Sequence, residues 1–492
     1  MQEFMMRIGG LRRPAAAGGW FESLDPYTGE KWARFPRGSA EDVDAAVKAA
    51  NEAFTIGPWS SMTASERGLL LYRLADRIAE NAEKLADAEI SDNGKLKSES
   101  LGQMRYLPQW FRYYGGLADK IEGHVTPTER PDIFHYSTYE PFGVVAAIAP
   151  WNSPLLLAAW KIAPALAAGN TIVVKPSEFS PASTILFADL CHDAGIPAGV
   201  MNVVTGFGPE VGQSLVEHPG VARVAFTGSE DRGRQVYTTA ASSFKRVSLE
   251  LGGKSANIVF PDADLEEAGR GVISGIFAAS GQSCMAGSRL LVHASIHDQL
   301  VDWLVNFMRS VRLGDPRRPE TNMGPMATVP QFEKVLRYFE IAKAEGARCV
   351  LGGIRSERPG CERGLFVEPT IFVDVRNDMR IAREEVFGPV LAVIKFDSDH
   401  EAIELANDTP FGLAAGVWTR DLERALTIPK RLRAGTVWVN AYRIVSYMAP
   451  FGGVKASGLG RENGARAIYE YLEEKSIFIN AKGKTPNPFG LN

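Results

Sequence analysis

The surroundings of one cysteine favour nucleophilic chemistry. Cys284 lies in the segment FAASGQSCMAGSR (residues 277–289), which connects a predicted helix to a predicted strand. The small residues beside it leave room for a substrate carbonyl to approach the sulfur, and a thiolate at such a position can form a covalent intermediate. A free cysteine is also a common buried apolar residue. Cys284 is therefore a candidate nucleophile, with a structural cysteine as the alternative.

The candidate general base is a carboxylate at the end of an apolar strand. Glu250 precedes Leu251 and two glycines in the segment SLELGGKS (residues 248–255). An apolar environment raises the pKa of a carboxyl group by desolvation, and a raised pKa suits a base that works near neutral pH. The alternative is that Glu250 caps a helix or ends a solvated strand.

An asparagine follows another apolar run. Asn152 lies in PWNSP (residues 150–154), directly after the predicted strand VVAAIA. Ligands of open α/β sheets bind at the carboxyl ends of the strands, and an Asn amide placed there can donate to an oxyanion. An asparagine in an ordinary turn is the alternative.

Two further strand ends carry residues suited to binding a nucleotide. Lys175 and Glu178 follow the strand TIVVK, where they could hold sugar hydroxyls or form a surface ion pair. The segment FTGSEDRG (residues 226–233) follows a predicted strand and begins a predicted helix, and helix N-termini bind phosphate. This segment lacks the GxGxxG fingerprint, so it is not a standard Rossmann turn.

The elements that position these residues alternate between strands and helices. From Gly143, helical patterns separate the short apolar runs VVAAIA, TIVVK, VMNVVTG, VARVAF and VSLEL. A second series runs from ANIVF through SRLLVH, TIFVDV, LAVIKF and AAGVWT to TVWVN. Buried apolar strands that alternate with helices predict parallel sheets, here in two α/β domains. Residues 1–120 are predicted to be mainly helical, with a capping box from Ser39 to Asp42.

Two segments outside both series alternate like exposed strands. They are HYSTYEP (residues 135–141) and KSIFIN (residues 475–480). Such strands can pair into a small sheet and serve assembly of the protein.

Composition excludes several classes of protein. The chain has 492 residues, which suggests two or three domains, and its net charge of -4 does not favour binding to nucleic acid or to an anionic membrane. The most apolar region, residues 144–174, is interrupted by prolines, asparagines and a lysine, so no membrane span is expected. The four cysteines form no CxxC pair, which argues against a disulfide framework or a zinc site. Without an apolar signal at the start, we expect a cytoplasmic protein with no bound metal.

The order of these segments resembles the aldehyde dehydrogenase superfamily. SLELGGKS and GQSCMAGSR, whose Glu250 and Cys284 are 34 residues apart, resemble the two signature motifs of that family. The segments PWNSPLLLAAWKIAPALAAGNTIVVKPSE, FTGS, EEVFGPV and PFGGVKASGLGRENG also resemble family motifs, in the family's order. The resemblance spans residues 25–480 and implies an enzyme of the NAD(P)-dependent, hydrolytic type, which oxidises an aldehyde to a carboxylic acid.

The resemblance implies roles for the catalytic residues. Cys284 is the nucleophile that forms a thiohemiacetal and then a thioester, and Glu250 is the general base that activates the hydrolytic water. The side-chain amide of Asn152 and the backbone N–H of Cys284 form the oxyanion hole. Lys161 and Glu462 match positions linked to proton relay or to support of the site.

The resemblance also implies the cofactor and its contacts. NAD is expected as the preferred cofactor, with NADP allowed. Lys175 and Glu178 match contacts to the adenosine ribose, and Glu385 matches the ligand of the nicotinamide ribose. The full set of expected cofactor-binding residues is Pro150, Trp151, Lys175, Ser177, Glu178, Gly208, Gly212, Phe226, Gly228, Ser229, Leu251, Gly252, Glu385 and Phe387.

The fold implied by the resemblance is α/β and has three parts. Residues 1–118 and 142–252 form a Rossmann-type cofactor domain, and residues 253–452 form an α/β catalytic domain. Residues 119–141 and 470–492 are oligomerisation segments that form a small sheet. A homodimer or homotetramer is expected, with a small-molecule aldehyde as the substrate.

Two departures from the family pattern concern the substrate entrance. Many members carry a bulky aromatic residue at the position of Ser153, and the serine suggests a wider mouth. Arg443, in the loop before PFGG, could attract an anionic group.

Two other functions remain open at this stage. One is a CoA-acylating semialdehyde dehydrogenase, in which CoA resolves the thioester; such enzymes generally lack the general base, so Glu250 argues against it. The other is a non-catalytic protein on the same scaffold, which the presence of Cys284, Glu250 and Asn152 disfavours.

Overall fold

The computed structural model of the chain describes residues 1–483 and 487–490. The strands are β1 (Gln2–Glu3), β2 (Met6–Ile8), β3 (Leu11–Arg13), β4 (Trp20–Leu24), β5 (Lys31–Pro36), β6 (Ile133–Pro141), β7 (Val144–Ile148), β8 (Thr171–Lys175), β9 (Met201–Val203), β10 (Arg223–Thr227), β11 (Arg246–Glu250), β12 (Ala256–Val259), β13 (Arg289–His293), β14 (Arg348–Leu351), β15 (Thr370–Val373), β16 (Val390–Phe396), β17 (Ala414–Trp418), β18 (Thr436–Val439), β19 (Gly458–Leu459) and β20 (Leu472–Asn480). The α-helices are α1 (Ala40–Thr55), α2 (Ala64–Glu80), α3 (Ala82–Asn93), α4 (Lys97–Tyr106), α5 (Pro108–Leu117), α6 (Pro154–Ala167), α7 (Ala182–Asp193), α8 (Gln213–Glu217), α9 (Glu230–Ala241), α10 (Leu265–Ile276), α11 (His297–Arg309), α12 (Val329–Ala344), α13 (Arg380–Arg383), α14 (Asp399–Asn407) and α15 (Leu422–Arg431).

The chain begins with strands and not with helices. Strands β1, β5 and β4 form a three-stranded sheet, and β2 and β3 extend a larger one. The prediction of mainly helical structure for residues 1–120 is therefore wrong for this segment, because strands of two to six residues are too short to show a clear alternation. From Ala40 onward the helical prediction is confirmed, and the capping box of Ser39 and Asp42 is present at the start of α1.

An eight-stranded sheet forms the first large unit. Its strand order is β19-β11-β10-β7-β8-β9-β2-β3, and the neighbours from β11 to β9 are parallel. Strands β7, β8 and β10 are buried along their whole length, which accounts for their continuous apolar sequences. The alternation of strands and helices predicted from residue 143 onward is confirmed here.

A seven-stranded sheet forms the second large unit. Its order is β14-β15-β16-β13-β12-β17-β18, in which every neighbouring pair except β14 and β15 is parallel. The second predicted series of strands and helices is therefore also confirmed. After this sheet the chain returns to the first one, where the short strand β19 pairs antiparallel with β11.

Strands β6 and β20 form a separate two-stranded sheet. They pair antiparallel over nine residues each, from Leu472 opposite Pro141 to Asn480 opposite Ile133. The predicted pairing of the two exposed segments is thus confirmed. Residues 484–486 and 491–492 of the predicted C-terminal oligomerisation segment lie outside the described residues. Within the described part of the chain, no helix is long and apolar enough to cross a membrane.

Candidate active site

Four adjacent parallel strands bring most of the predicted residues to one edge of the eight-stranded sheet. Lys175 at the end of β8 lies opposite Ile148 of β7, and Glu250 at the end of β11 lies opposite Thr227 of β10. Because parallel strands end on the same side, the loops that follow them meet in one cleft. The register of the sheet therefore explains how residues more than 100 positions apart line a common site.

A loop from the second unit closes the cleft. Glu385 lies between α13 and β16, and its Oε1 accepts a hydrogen bond of 3.0 Å from the backbone N–H of Gly253. A Cβ atom on Gly252 would lie 2.5 Å from the carboxylate of Glu385. A side chain at position 252 would therefore displace the Glu385 carboxylate from its place beside this loop.

The turn that precedes Cys284 has an unusual backbone. Ala279, Ser280 and Gly281 have φ values of 53°, 53° and 71°. This left-handed backbone is strained for the first two residues, so surrounding contacts must hold it in place. Glu99 accepts a 2.8 Å hydrogen bond from the N–H of Ala279, and the hydroxyl of Ser280 donates to the carbonyl of Gly324 at 2.8 Å.

The thiol of Cys284 is protonated at neutral pH in this environment. Cys284 is half-buried, and burial together with the charges of Glu250 and Glu385 raises the pKa of its thiol to about 12. A thiol is a much weaker nucleophile than a thiolate. The site must therefore remove this proton before or during attack on a substrate.

Glu250 has the properties of a group that can take up a proton. Its side chain is 5% exposed, and neither carboxylate oxygen has a hydrogen-bond partner among residues 1–483 and 487–490. Burial, followed by the charge of Glu462, raises the pKa of Glu250 well above its usual value, whereas Lys161 and Arg461 lower it. Its carboxylate thus remains available to a ligand or water in the cleft.

Lys161 and Glu462 form a buried ion pair behind Glu250. They are 301 positions apart in sequence, and Lys161 Nζ also donates to Thr227 Oγ1 at 2.6 Å. Lys161 is 0% exposed and Glu462 is 4% exposed, so water screens their charges little. The pair therefore influences Glu250 electrostatically without lining the cleft itself.

The amide of Asn152 points toward the turn that carries the cysteine. Its Nδ2 donates to the carbonyl of Gln282 at 2.9 Å, and Asn152 and Cys284 line the same cavity. An amide nitrogen has two hydrogens, so one N–H remains for a ligand. This geometry suits a donor to an oxygen bound near the sulfur.

Two adjoining cavities receive every cofactor-binding residue expected from the sequence. One has an empty volume of about 610 Å³ and is lined by Cys284, Glu250 and Asn152 together with Leu251, Gly252, Glu385 and Phe387. The other, of about 1020 Å³, is lined by Lys175, Ser177, Glu178, Gly208, Gly212 and Phe226. Pro150, Trp151, Gly228 and Ser229 line both cavities, so the two form a continuous groove.

The groove fits a dinucleotide. Residues 208–212 lead into α8, and a Cβ atom added to Gly208 or Gly212 would have no described atom within 4 Å. The backbone here is therefore open to a ligand. Lys175 is 3% exposed and forms a 2.8 Å ion pair with Glu178, which places a charged pair suited to sugar hydroxyls on the groove wall. At the other end, the rings of Trp151 and Phe387 meet edge to face, 5.3 Å apart.

Several lining residues of this site were not predicted from the sequence, among them two on α12. Gln331 and Lys334, on α12, line the cavity that contains Cys284. Gln331 Nε2 donates to the backbone carbonyls of Val386 and Phe387 at 2.8 Å each and so holds the loop beside Glu385. On an amphipathic helix such residues are typical of a solvated face, and only the packing of α12 against this loop reveals their position.

Comparisons with known proteins agree with this site. The model of the aldehyde dehydrogenase family matches residues 14–477. A (Z)-2-((N-methylformamido)methylene)-5-hydroxybutyrolactone dehydrogenase from Acinetobacter baylyi is 45% identical over 481 residues, which cover 97% of each chain. A betaine aldehyde dehydrogenase from Bacillus subtilis is 45% identical over 466 residues, 95% of each chain.

Solved structures give the same result. An NAD+ complex of an aldehyde dehydrogenase from Bacillus cereus superposes with a TM-score of 0.95 at 46% identity, covering 97% of both chains. A point mutant of betaine aldehyde dehydrogenase from Staphylococcus aureus, also with NAD+, superposes with a TM-score of 0.98 at 40% identity over 100% of both chains. The chain belongs to the aldehyde dehydrogenase family. It is an NAD-binding oxidoreductase that oxidises an aldehyde to a carboxylic acid, and the fold and family predicted from its sequence are confirmed.

Removing either the positive or the negative charge of the buried ion pair tests how the pair shifts the pKa of Glu250. Lys161→Met removes a charge that lowers the pKa of Glu250, so the acid limb of the kcat–pH profile should move to higher pH, because a base works only when ionised. Glu462→Gln removes a charge that raises this pKa, so the same limb should move to lower pH. The measurement is aldehyde-dependent NADH formation across the pH range.

A matched control separates electrostatics from damage to the fold. Lys245→Met removes a partly buried lysine whose only hydrogen-bond acceptors among the described residues are the backbone carbonyls of Val216 and His218, and the acid limb of the kcat–pH profile should stay in place. Loss of a buried ion-pair partner costs about 3–5 kcal/mol of stability, so the assays require a temperature at which each variant is folded. Shifts in the same direction for both substitutions would contradict the electrostatic coupling.

Proposed function

We propose that Cys284 is the nucleophile of this aldehyde dehydrogenase, that Glu250 is its general base and that the Asn152 amide stabilises the oxyanion. The observation that carries this proposal is that these three side chains line one cavity at the end of the dinucleotide groove. Glu250 is the one among them whose buried polar atoms have no partner in the described chain, and a substrate or water in the cavity would satisfy them.

The chemistry follows from the charges of the site. Because burial keeps the Cys284 thiol protonated, Glu250 accepts its proton as the sulfur attacks the aldehyde carbon. The resulting alkoxide accepts hydrogen bonds from the free amide N–H of Asn152 and the backbone N–H of Cys284. NAD, when bound, supplies the hydride acceptor. After hydride has left and Glu250 has released this first proton to solvent, its carboxylate deprotonates the water that attacks the thioester. The Cys284 thiolate then leaves and regains a proton from Glu250, and the carboxylic acid is released.

The ion pair of Lys161 and Glu462 supports the base in this proposal. Its two charges act on Glu250 in opposite directions, so together they hold the carboxyl pKa between the extremes that either charge alone would produce. A relay of the Glu250 proton through this pair requires a bridging water, because neither Glu250 oxygen has a hydrogen-bond partner among the described residues. These are the relay and support roles expected from the family resemblance.

Hydrolysis is favoured over transfer to CoA by the environment of Glu250. A carboxylate that is 5% exposed, has no partner in the described chain and faces the same cavity as Cys284 has a clear use in activating water. An enzyme that transfers its acyl group to CoA has no need for such a base.

Replacement of Glu250 tests the two-stage mechanism. In Glu250→Gln, we expect a slowed burst of NADH, because the thiol has lost its proton acceptor, followed by a steady state about 10²–10⁴-fold slower than that of the wild type, because the thioester accumulates when water is not activated. Rapid-quench measurement of NADH, with mass spectrometry of the acylated enzyme, follows both phases.

The control for this experiment is the cysteine itself. Cys284→Ala should give neither burst nor steady state while NAD still binds, as measured by calorimetry. Wild-type turnover by Glu250→Gln would assign the activation of water to another group. Release of acyl-CoA in place of free acid, with CoA present, would establish the alternative reaction.

We infer that the enzyme prefers NAD to NADP because of Glu178. This carboxylate lines the groove beside Lys175 and can accept hydrogen bonds from ribose hydroxyls, whereas a 2′-phosphate would bring two negative charges together. Lys175 offsets part of that repulsion, so NADP remains a weaker substrate and is not excluded.

The preference predicts the behaviour of Glu178→Ser. This variant should lower kcat/KM for NAD and narrow the NAD/NADP ratio by about tenfold or more, since the lost hydrogen bonds involve a charged acceptor. Glu217→Ser is the matched control, because Glu217 is an exposed carboxylate on α8 outside the lining of the groove. Steady-state kinetics with both cofactors provide the comparison. An unchanged ratio in Glu178→Ser would remove Glu178 from the ribose site.

We propose that residues 1–118 and 142–252 are the cofactor domain, that residues 253–452 are the catalytic domain and that residues 119–141 and 470–492 serve oligomerisation. The two large sheets support the division between the cofactor domain and the catalytic domain. Exposed apolar side chains on the two-stranded sheet support the last one, with Phe478 65%, Phe134 49% and Ile479 46% exposed. A second copy of this chain would cover them in a homodimer or homotetramer.

We also propose a cytoplasmic location, which is supported by four free cysteines.

Assembly through the two-stranded sheet predicts the effect of a charge placed among its exposed apolar side chains. Phe478→Glu should weaken self-association by about tenfold or more, which corresponds to roughly 1.4 kcal/mol. Sedimentation velocity over a range of concentrations measures this effect. Ile56→Glu serves as the control, because Ile56 is equally apolar and 82% exposed but lies at the end of α1. Equal behaviour of the two variants would exclude this sheet from the interface.

A further inference from the structure

The loop that carries Asn152 is held by the end of α3 and the residues that follow it. Asn93 Nδ2 donates to the backbone carbonyl of Trp151 at 3.2 Å. Lys95 Nζ donates to the hydroxyl of Ser153 at 2.8 Å. These two hydrogen bonds therefore fix the residues directly before and directly after Asn152.

A third contact is made at the start of α6, which follows this loop. Leu155 is the second residue of α6, and its backbone N–H donates to Glu89 Oε1 at 3.0 Å. Ser153 is at the N-cap position of α6, but among the described residues its side chain accepts no hydrogen bond from the backbone of that helix. Glu89 therefore supplies the missing cap from α3, where a carboxyl oxygen also interacts favourably with the helix dipole.

The three side chains that hold the loop are buried and held at a second point. Glu89, Asn93 and Lys95 are 0%, 3% and 6% exposed. Glu89 Oε1 also accepts from the hydroxyl of Ser183 at 3.2 Å, and Lys95 Nζ also donates to Gln103 Oε1 at 2.9 Å. Breaking such buried hydrogen bonds is costly, because a polar atom left without a partner keeps its desolvation penalty. The loop is therefore attached to a support that resists displacement.

Asn152 itself bonds to a different part of the chain. Its Nδ2 donates to the carbonyl of Gln282 in the turn before Cys284, while the residues on either side of it bond to the α3 segment. The direction of its remaining N–H therefore depends on the backbone position of this loop. Correct placement matters, because a misplacement of about 1 Å can lower a rate by about 10²-fold.

We propose that three side chains of this segment aim the amide of Asn152 at the oxyanion formed at Cys284. These positioning residues are Glu89, Asn93 and Lys95. Among the described residues that line the cavity of Cys284 and the adjoining nucleotide cavity, none of the three is present, so they act through the loop. This inference rests on the proposed role of Asn152 as a donor to the oxyanion and deepens it.

Asp92 provides a matched comparison on the same helix. It is 2% exposed, and its Oδ2 accepts from the backbone N–H of Ala182, the first residue of α7, at 2.9 Å. Within the described chain its remaining hydrogen bonds come from the side chains of Ser23 and Trp32. Asp92 therefore caps a helix from α3, as Glu89 does, without a hydrogen bond to the loop before α6.

The test measures the rate of NADH formation in a single turnover at saturating NAD and aldehyde. Glu89→Leu leaves the Leu155 N–H without its acceptor and should lower this rate by about tenfold or more, because the donor to the oxyanion is displaced. The KM for the aldehyde should change less than the rate, since the amide acts mainly in the transition state. Lys95→Met and Ser153→Ala break one hydrogen bond from its two ends and should give similar losses of rate.

Two control variants separate positioning from general damage. Glu89→Gln keeps an acceptor oxygen for the Leu155 N–H and should restore most of the rate lost in Glu89→Leu. Asp92→Leu removes an equally buried carboxylate from α3 but should leave the single-turnover rate near that of the wild type. Thermal unfolding of each variant sets an assay temperature at which it is folded.

Combination with Asn152→Ala identifies the route of the effect. Once the amide is absent its position no longer matters, so Glu89→Leu and Ser153→Ala should each change the rate of Asn152→Ala by less than about twofold. A role confined to stability of the fold would instead lower the rate by the same factor with and without the amide.

The outcomes distinguish this inference from the proposed function. Wild-type rates in both Glu89→Leu and Ser153→Ala, or equal losses with and without the Asn152 amide, would overturn the positioning role and leave the proposed chemistry intact. If Glu89→Leu does not fold, Ser153→Ala in its half-buried loop decides the question alone and in combination with Asn152→Ala. A wild-type rate in Asn152→Ala would remove the oxyanion donor from the proposed function, and this inference would fail with it.

Discussion

The desolvation of Glu250 is the constraint on which the site depends. A carboxylate that is 5% exposed and has no partner in the described chain is costly to bury, and its raised pKa follows from that cost. The same burial raises the pKa of Cys284, so base and thiol are matched as proton acceptor and donor. The ion pair of Lys161 and Glu462 limits the penalty, because its charges oppose each other at Glu250. The burial that raises the pKa of Glu250 therefore also costs folding free energy in this cleft.

The two large sheets are arranged to maintain this environment. The first brings the ends of β7, β8, β10 and β11 to one edge, and the second supplies Cys284 and Glu385 from loops that precede β13 and β16. The close contact of Gly252 with Glu385 closes the cleft between them. Since the reacting groups come from both units, small relative movements of the sheets would alter the distance between thiol and base. The hydrogen bond from Gly253 to Glu385 ties the segment between β11 and β12 to the loop before β16 and helps to fix this distance.

The sequence predicted most of this fold for clear physical reasons. Strands buried on both faces appear as continuous apolar runs, and β7, β8 and β10 are of this kind. Strands β1 to β5 were missed because short strands give little periodicity. The roles of Lys161 and Glu462 came only from family resemblance, since no local pattern predicts contact across 301 positions. Gln331 and Lys334 escaped prediction because their helix shows its function only through tertiary packing.

The loop of residues 150–154 separates two requirements of the enzyme. Pro150 and Trp151 line the groove, Asn152 lines the cavity that contains Cys284, and Ser153 instead contacts Lys95. A change at Ser153 therefore alters the substrate side while the groove keeps its shape. The small side chain of Ser153 also lets Lys95 reach its hydroxyl at 2.8 Å, so the loop is tied to α4 through Lys95 and Gln103 without any contact on the groove side.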